Sequence, residues 1–579
     1  MEETKKSTAP YNFVRLNKSV LQPPVAEGMD KIGNYTTKEG QEQYKAKYSE
    51  NISKGERFTG YFDVEIVNKT PMFIGGYSGS DSFFSDGRNY CIPGSSLRGC
   101  LKNLFKIITN GSMRTGIDGD IEDGTLYFRD FASEFGKLKT EYTAALAPKS
   151  SGGKQQIQVS GGLLVKEGEK YYIFEAPYTA IKVSEGEANK YDKPTVEYAD
   201  DQIKVFSGPI EGKKHYYKFT DEKVNWKIKY VVTRACLDNY LNDKNRNGIN
   251  LLESEYGKQG RDYFNNCPEA KNYSYIIPCF FVADGNMVRN FGSGILYRVP
   301  YNKSIGQHIP QGLNTSKVDF ADAVFGNKEL WGSRVFFDDL YLQGLSSGVT
   351  YAAEKAQPLL GPKPTSFQNY LMTDEAGEAE HWNSKADLRG YKLYWHKTCN
   401  WKDSREKKEQ SELNQNINKS IAPIKENNRF CGRLRFENLD AIELGALAKL
   451  FALGEEENSC YKLGMGKSLG LGSVKITGKL FLRNDDYYQS FLSAGVDEVS
   501  YKEYVEQFDA YVSSKLSDEE RHIYDEKMAE LKIIMDYSLK KSKNWDARTA
   551  YINVDDDDNK LVANRYALPC IADVAGAKK

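Results

Sequence analysis

The chain has 579 residues, enough for roughly three or four domains and a large core. Hydrophobic residues make up 40% and charged residues 27%, the ordinary mix of a soluble globular protein. Lys+Arg is 79 against Asp+Glu 80, so the net charge of −1 excludes a wholly basic nucleic-acid coat while leaving room for a local basic groove.

Tyr 39 and Phe 28 bring the aromatic share to 13%, which favours strands and stacking surfaces. No run reaches the 18 or so apolar residues of a membrane span. Met1 to Pro10 is charged and polar, without the apolar stretch of a secretory signal. The nine cysteines form no C-x-x-C pair, which argues against a disulfide framework and a zinc knuckle and fits a reducing cytoplasm. Five scattered histidines without H-E-x-x-H give no support to a metalloprotease.

In chain order, residues 1–55 are polar and read as an arm with little core of its own. Phe62, Val64 and Ile66 alternate with polar residues, the period of a half-buried strand. A glycine- and serine-rich loop, Gly75 to Asp81, follows. Pro93-Gly94-Ser95-Ser96 opens a helix with Ser95 or Ser96 as N-cap. Leu97, Leu101, Leu104, Phe105 and Ile108 form its buried stripe, and Arg98, Lys102 and Lys106 a basic stripe beside it. A capped helix start beside Arg98 suits an anion.

Residues 110–350 carry tyrosine-rich strands, with a polar insertion at 237–275. In Arg389-Gly390-Tyr391-Lys392-Leu393-Tyr394-Trp395-His396, cations interleave with aromatics, the texture of an RNA contact. Alternation puts Leu393 and Trp395 on one face, and Lys392 and His396 on the other. Arg433 and Arg435 oppose Leu434 in a further strand. Leu439, Ile442, Ala446, Leu450 and Leu453 mark one helical face ending at Gly454. The loop Leu463 to Ser473 holds Gly464, Gly466, Lys467, Ser468 and Gly470; its glycines make tight turns or bring N–H groups and one cation onto a phosphate. Residues 498–540 read as helical, and Asp555–Asp558 as a solvated acidic loop.

Three motifs fail. Gly466-Lys467-Ser468 has Tyr461 where a P-loop needs glycine, and Gly464-Met465-Gly466 lacks the third glycine of a dinucleotide fingerprint. The loop from Asp243 has Ser254 where an EF-hand needs its bidentate Glu.

Phe73-Ile74-Gly75-Gly76 with Ile92-Pro93-Gly94-Ser95-Ser96-Leu97-Arg98-Gly99, and Gly464 to Val474, resemble the N-terminal and C-terminal signatures of the RAMP superfamily, the RNA-binding backbone subunits of type III CRISPR effector complexes. Tyr11-Asn12-Phe13-Val14, Lys363 to Gln368 and Arg389 to His396 resemble one long, insertion-containing branch of it. The resemblance spans about residues 9–480. It implies an α+β fold with a ferredoxin-like (RRM-like) core, long insertions and a C-terminal helical segment. The corresponding division is 1–55 (N-terminal arm), 56–236 (first half), 237–275 (insertion), 276–480 (second half) and 481–579 (helical segment and tail).

The function that the resemblance implies is a cytoplasmic ribonucleoprotein subunit in antiviral defence. Its partners are guide (CRISPR) RNA, complementary target RNA and other effector subunits, with no membrane. The RNA-binding candidates are Ser95, Ser96, Arg98, Lys102, Arg389, Lys392, His396, Gly464, Gly466, Lys467, Ser468 and Gly470. Many relatives cleave target RNA through a loop aspartate with a divalent metal. The register points to Asp81 as that catalytic residue, with Mg2+ or Mn2+, and to Asp86 as a structural one. The loop departs from the family pattern at Ser82-Phe83-Phe84-Ser85, so a binding-only subunit is the first expectation and an endoribonuclease the second. A standalone guide-processing ribonuclease ranks below both, because no histidine precedes His215. No catalytic constellation supports a small-molecule enzyme.

Overall fold

The computed structural model describes residues 6–32, 35–76, 81–115, 121–130, 136–146, 159–199, 201–246, 248–345, 347–359, 361, 363–405, 419–489, 495–552 and 565–576. Residues 77–80 of the glycine–serine loop and the run Asp555–Asp558 lie outside them. The fold is α+β.

The chain begins with β1 (Tyr11–Val14), α1 (Lys38–Ile52), β2 (Phe58–Asn68) and α2 (Gly94–Ile108). The stretch read as an arm is tied into the body: β1 pairs with Tyr391–Tyr394, and Leu21, Val25 and Met29 are buried. In β2, Phe62, Val64 and Ile66 all point into the core. The α2 stripe of Leu97, Leu101, Leu104, Phe105 and Ile108 is buried as its spacing requires, each side chain contributing about 1.5–3 kcal/mol.

The cap of α2 differs from expectation. Pro93 is the N-cap, and neither serine closes the helix. The Gly94 amide donates to Asp339 Oδ1 at 2.8 Å, a partner 245 residues away. Glycine is required there, since a β-carbon on Gly94 would sit 2.2 Å from the Phe337 carbonyl oxygen.

The long middle segment runs through β3 (Ser160–Glu167), β4 (Lys170–Glu175), β5 (Tyr178–Lys182), β6 (Thr195–Ala199), β7 (Gln202–Phe206), β8 (His215–Thr220), β9 (Asn225–Val232), α3 (Arg234–Asn242), α4 (Glu255–Tyr263), β10 (Tyr275–Asp284) and β11 (Met287–Gly292). Five of these strands close a barrel in the order β9-β11-β10-β3-β4. Its β9–β11 pair is parallel and the other neighbours antiparallel. Leu164, Ile173, Ile277 and Phe281 are buried within it. The remaining strands form a sheet in the order β5-β8-β7-β6, whose Tyr178, Tyr217 and Phe219 rings surround Phe280 of β10 at 5.0, 5.0 and 5.4 Å. Residues 237–275, read as an insertion, carry α4 and most of α3 between two barrel strands.

The chain then gives α5 (Phe320–Phe325), β12 (Val335–Phe337), β13 (Leu340–Leu342), β14 (Tyr391–Tyr394), β15 (Arg429–Leu439), α6 (Ala441–Glu455), β16 (Ser473–Arg483), α7 (Lys502–Lys515) and α8 (Asp518–Met535). A second sheet, with its own core, runs β16-β2-β15 and then β12 and β13, every pair antiparallel. With the two short strands β12 and β13 counted as one position, the chain order across this sheet is fourth, first, third, second, with α2 after the first and α6 after the third. Phe430, Leu434, Phe436, Val474, Ile476 and Leu480 join β2's apolar residues on the inner face. Arg433 and Arg435 take the other face, paired with Asp63 at 2.9 Å and Asp338 at 2.7 Å.

Helix α6 is buried on more than the single face its spacing suggested, because α7 packs on its far side. Leu439 ends β15 and is not part of the helix; Asp440 and Glu443 form its capping box. Glu443 is fully buried and ion-paired to Arg334.

Candidate nucleic-acid interface

The loop 463–473 owes its shape to its glycines. Gly464, Gly466, Gly470 and Gly472 all have positive φ, a backbone region closed to most side chains. Its amides are largely spent on backbone: Met465 donates to Phe73, Leu469 to Gly466, Gly470 to Lys467, and Gly472 to Pro71. The turn role thus accounts for the glycines, and the loop is stapled to residues 71–73 at the start of the N-terminal motif.

That junction opens a cavity of about 1030 Å³ between the loop, one side of α2 and β14. Ser95, Ser96 and Gly99 of α2 line it, facing Gly464, Gly466 and Lys467 of the loop. Two motifs more than 360 residues apart therefore share one wall. The cavity's other cations are Lys392, Lys419 and Lys462, and its described lining contains no Asp or Glu. Four lysines without a carboxylate give it a positive potential that the net charge of the chain conceals.

Lys462 carries no signature in the sequence. It precedes the loop, and its amine donates to the Leu471 carbonyl at 3.1 Å. Burial, with lesser repulsion from Lys397 and Lys467, pushes its pKa down to about 7. Lys392 stands with its amine 3.8 Å from the Tyr11 ring centroid and 5.5 Å from that of Tyr394, and burial lowers its pKa. A nearby anion would favour the charged form of both amines and raise their pKa.

The structure separates the remaining candidates from the cavity surface. Arg98 turns away to donate to the Phe325 carbonyl at 2.7 Å, at the C-terminal end of α5, and its guanidinium lies over the Phe325 ring at 5.5 Å. Lys102 is half-buried and off the cavity wall. Arg389 donates to the Leu371 carbonyl at 2.8 Å and is also off the wall; burial pushes its pKa down to about 10. Ser468 and Gly470 are buried beneath the loop.

His396 is 2% exposed and backs the cavity from inside. Its Nε2 lies 3.1 Å from the Cys460 carbonyl, which can only accept, so Nε2 carries the proton. Nδ1 then accepts from Ser473 Oγ at 2.8 Å. Burial drives its pKa well below the ordinary imidazole value, so it stays neutral. Both ring nitrogens are thus engaged within the protein. Alternation along the strand did not reveal this because Trp545, which donates to the His396 carbonyl, comes from the far C-terminal segment.

Asp81 is exposed, and its backbone carbonyl accepts the Ala422 amide at 2.7 Å. Asp86 Oδ1 accepts the amides of Arg88 and Asn89, each at 2.8 Å, and these bonds hold its carboxyl below the usual range. The Asx-type turn of this loop therefore belongs to Asp86. Among the described residues no group of three His, Cys, Asp or Glu side chains could hold a metal ion.

No family model and no curated protein matches this chain. Among solved structures it is similar to a chain of the "Cryo-EM structure of the Type III-B Cmr-beta bound to cognate target RNA". The match has 10% identity, covers 73% of this chain and 98% of that one, and has a TM-score of 0.17, too low to carry an argument. No helix among the described residues is long and apolar enough to cross a membrane.

Proposed function

We propose that this chain is a guide-RNA-binding backbone subunit of a type III CRISPR ribonucleoprotein, acting in the cytoplasm with other effector subunits to recognise target RNA in antiviral defence. The observation that carries the reading is the cavity in which Ser95 and Ser96 meet the loop of Lys467 amid four lysines, with no carboxylate among its described lining residues. Phosphates seated there would displace counterions and gain from amines already stripped of water. Contacts of this kind hold a strand in register without reading its bases, as a guide of variable sequence demands.

The sheet supports the same reading. Strands in the order fourth, first, third, second, with helices after the first and third, agree with the ferredoxin-like core that this reading expects. On this view residues 110–330 are the long insertion, and the barrel is its main component.

The alternative, a metal-dependent endoribonuclease, would use Asp81 with Mg2+ or Mn2+. A lone exposed carboxylate does not fit a resident divalent ion, so we derive no cleavage step and rank binding first. The test of the main reading is purification from the native host with sequencing of the bound RNA. Repeat–spacer RNA is expected; ribosomal or random fragments would overturn the assignment.

A further inference from the structure

A second cavity, of about 710 Å³, lies between the end of β11, helix α3 and the edge of the inserted sheet, and shares no lining residue with the first. Its size falls within the usual range of small-molecule sites, and it lies at the end of a β-barrel, a common location for them. Among its lining residues Arg129, Lys213, Arg246 and Arg298 face only Glu211 and Asp243, and Asp243 is already paired with Arg298 at 3.0 Å.

Among the described residues one group on this wall lacks a hydrogen-bond partner and another lacks a counter-ion. Tyr127 is 6% exposed, and its hydroxyl has no hydrogen-bond partner among the described residues. Leaving such a group unpaired is costly unless something else satisfies it. Among the described residues the Lys213 amine bonds to Ser207 Oγ and lies 4.9 Å from the Tyr217 ring centroid, and no carboxylate pairs with it. Burial pushes its pKa down to about 8. Beside it His215 Nε2 lies 3.1 Å from the Tyr217 hydroxyl. Arg246 lies over the Tyr240 ring at 3.7 Å, and that ring stacks on Phe291 at 4.5 Å.

We propose that this cavity binds a nucleotide, either free or as the terminal residue of an RNA strand. The cationic side, with Lys213 and Arg246, suits a phosphate, and the tyrosine-rich wall suits a planar base with a hydrogen-bonding edge. The barrel's connectivity, five strands closed by a parallel pairing of the third with the fifth, is that of the OB-fold, a scaffold for oligonucleotides and oligosaccharides. That likeness agrees with the ligand class; the cavity and its unpaired groups give the location.

The test is calorimetric titration of the full chain with AMP, GMP, CMP and UMP, with adenosine, uridine and inorganic phosphate as comparators. A short RNA ending in a phosphate and the same RNA ending in a hydroxyl separate the two sources. We expect at least one nucleotide to bind more tightly than its nucleoside and than phosphate. Lys213→Ala should weaken it about tenfold or more, the loss of a bond to a charged group. Tyr127→Phe removes only a hydroxyl that has no partner, so it should fold normally and bind about three- to tenfold more weakly. Tighter binding of the phosphate-ended RNA would assign a strand terminus, and preference for mononucleotides a free ligand; both support the proposal. Absence of nucleotide binding, nucleoside binding of equal strength, or affinity unchanged in both variants would overturn it. Lys467→Ala should leave this binding intact, so its failure and that of the guide-RNA reading are separable.

Discussion

The Met465 amide donates to the Phe73 carbonyl at 2.8 Å, and the neighbouring Gly464 would place a β-carbon 2.5 Å from that same oxygen. The N-terminal and C-terminal motifs are therefore locked together by backbone, with no room for a side chain. Gly464→Ala must also hold a φ of +89°, so it should destabilise the fold by about 1–3 kcal/mol, measured by chemical denaturation. Unchanged stability would show that the two segments separate freely.

Gly99 presents the opposite case. It lies exposed within α2, and a β-carbon there meets nothing within 4 Å. Glycine inside a helix costs about 0.5–1 kcal/mol relative to alanine, so Gly99→Ala should raise stability by that order. Because Gly99 lines the lysine cavity, the same change should weaken RNA binding by filling space a phosphate backbone would use. A variant both more stable and equally tight would mean the helix surface at Gly99 does not touch RNA.

Lys467→Ala should weaken binding to RNAs of different sequence alike. The slope of log K against log salt should become shallower by about one unit, as for loss of one phosphate contact. Lys102→Ala, off the cavity wall, should leave the slope unchanged. Equal slopes for all three proteins would remove Lys467 from the interface.

His396 gives a pH signature. Its folded-state pKa lies well below 6.5, whereas the unfolded chain takes the proton near 6.5. Below that pH the unfolded state binds more protons, so the stability His396 contributes is complete above about 6.5 and is lost as the pH falls. The loss should approach about 1.4 kcal/mol per pH unit. His396→Gln, less stable at pH 8, should show a flatter profile from pH 7.5 to 5.5 in denaturant titrations. The difference between variant and parent cancels groups common to both. Parallel profiles would mean that His396 titrates normally.

What was legible in the sequence is what periodicity reports. The inward set of β2 and the stripe of α2 follow from spacing alone, since each faces a single core. The glycine loop was legible as a turn. The cap of α2 was not, because Asp339 reaches it from another part of the chain. His396 and Arg389 looked like surface residues because local alternation carries no information about distant segments such as Trp545 or Leu371 that cover them. The barrel was invisible for a related reason: it closes through β9 against β11, a parallel pairing across the intervening α3, α4 and β10.

The loop aspartates offer the clearest division between binding and cleavage. Asp86→Ala removes the acceptor of two backbone amides and should lower the melting temperature by loosening the turn that leads to α2. Asp81→Ala removes an exposed carboxylate, so melting temperature and guide binding should match the parent. The deciding measurement is a time course of target cleavage by the assembled complex in Mg2+ or Mn2+, with parent or Asp81→Ala subunits. If this subunit only binds, both complexes give the same product pattern at the same rate. If Asp81 acts on the target, loss of one positioned acid–base group should slow one set of cuts by about 10²–10⁴-fold. We expect the first outcome, because among the described residues Asp81 belongs to no group of His, Cys, Asp and Glu side chains that could hold a metal ion.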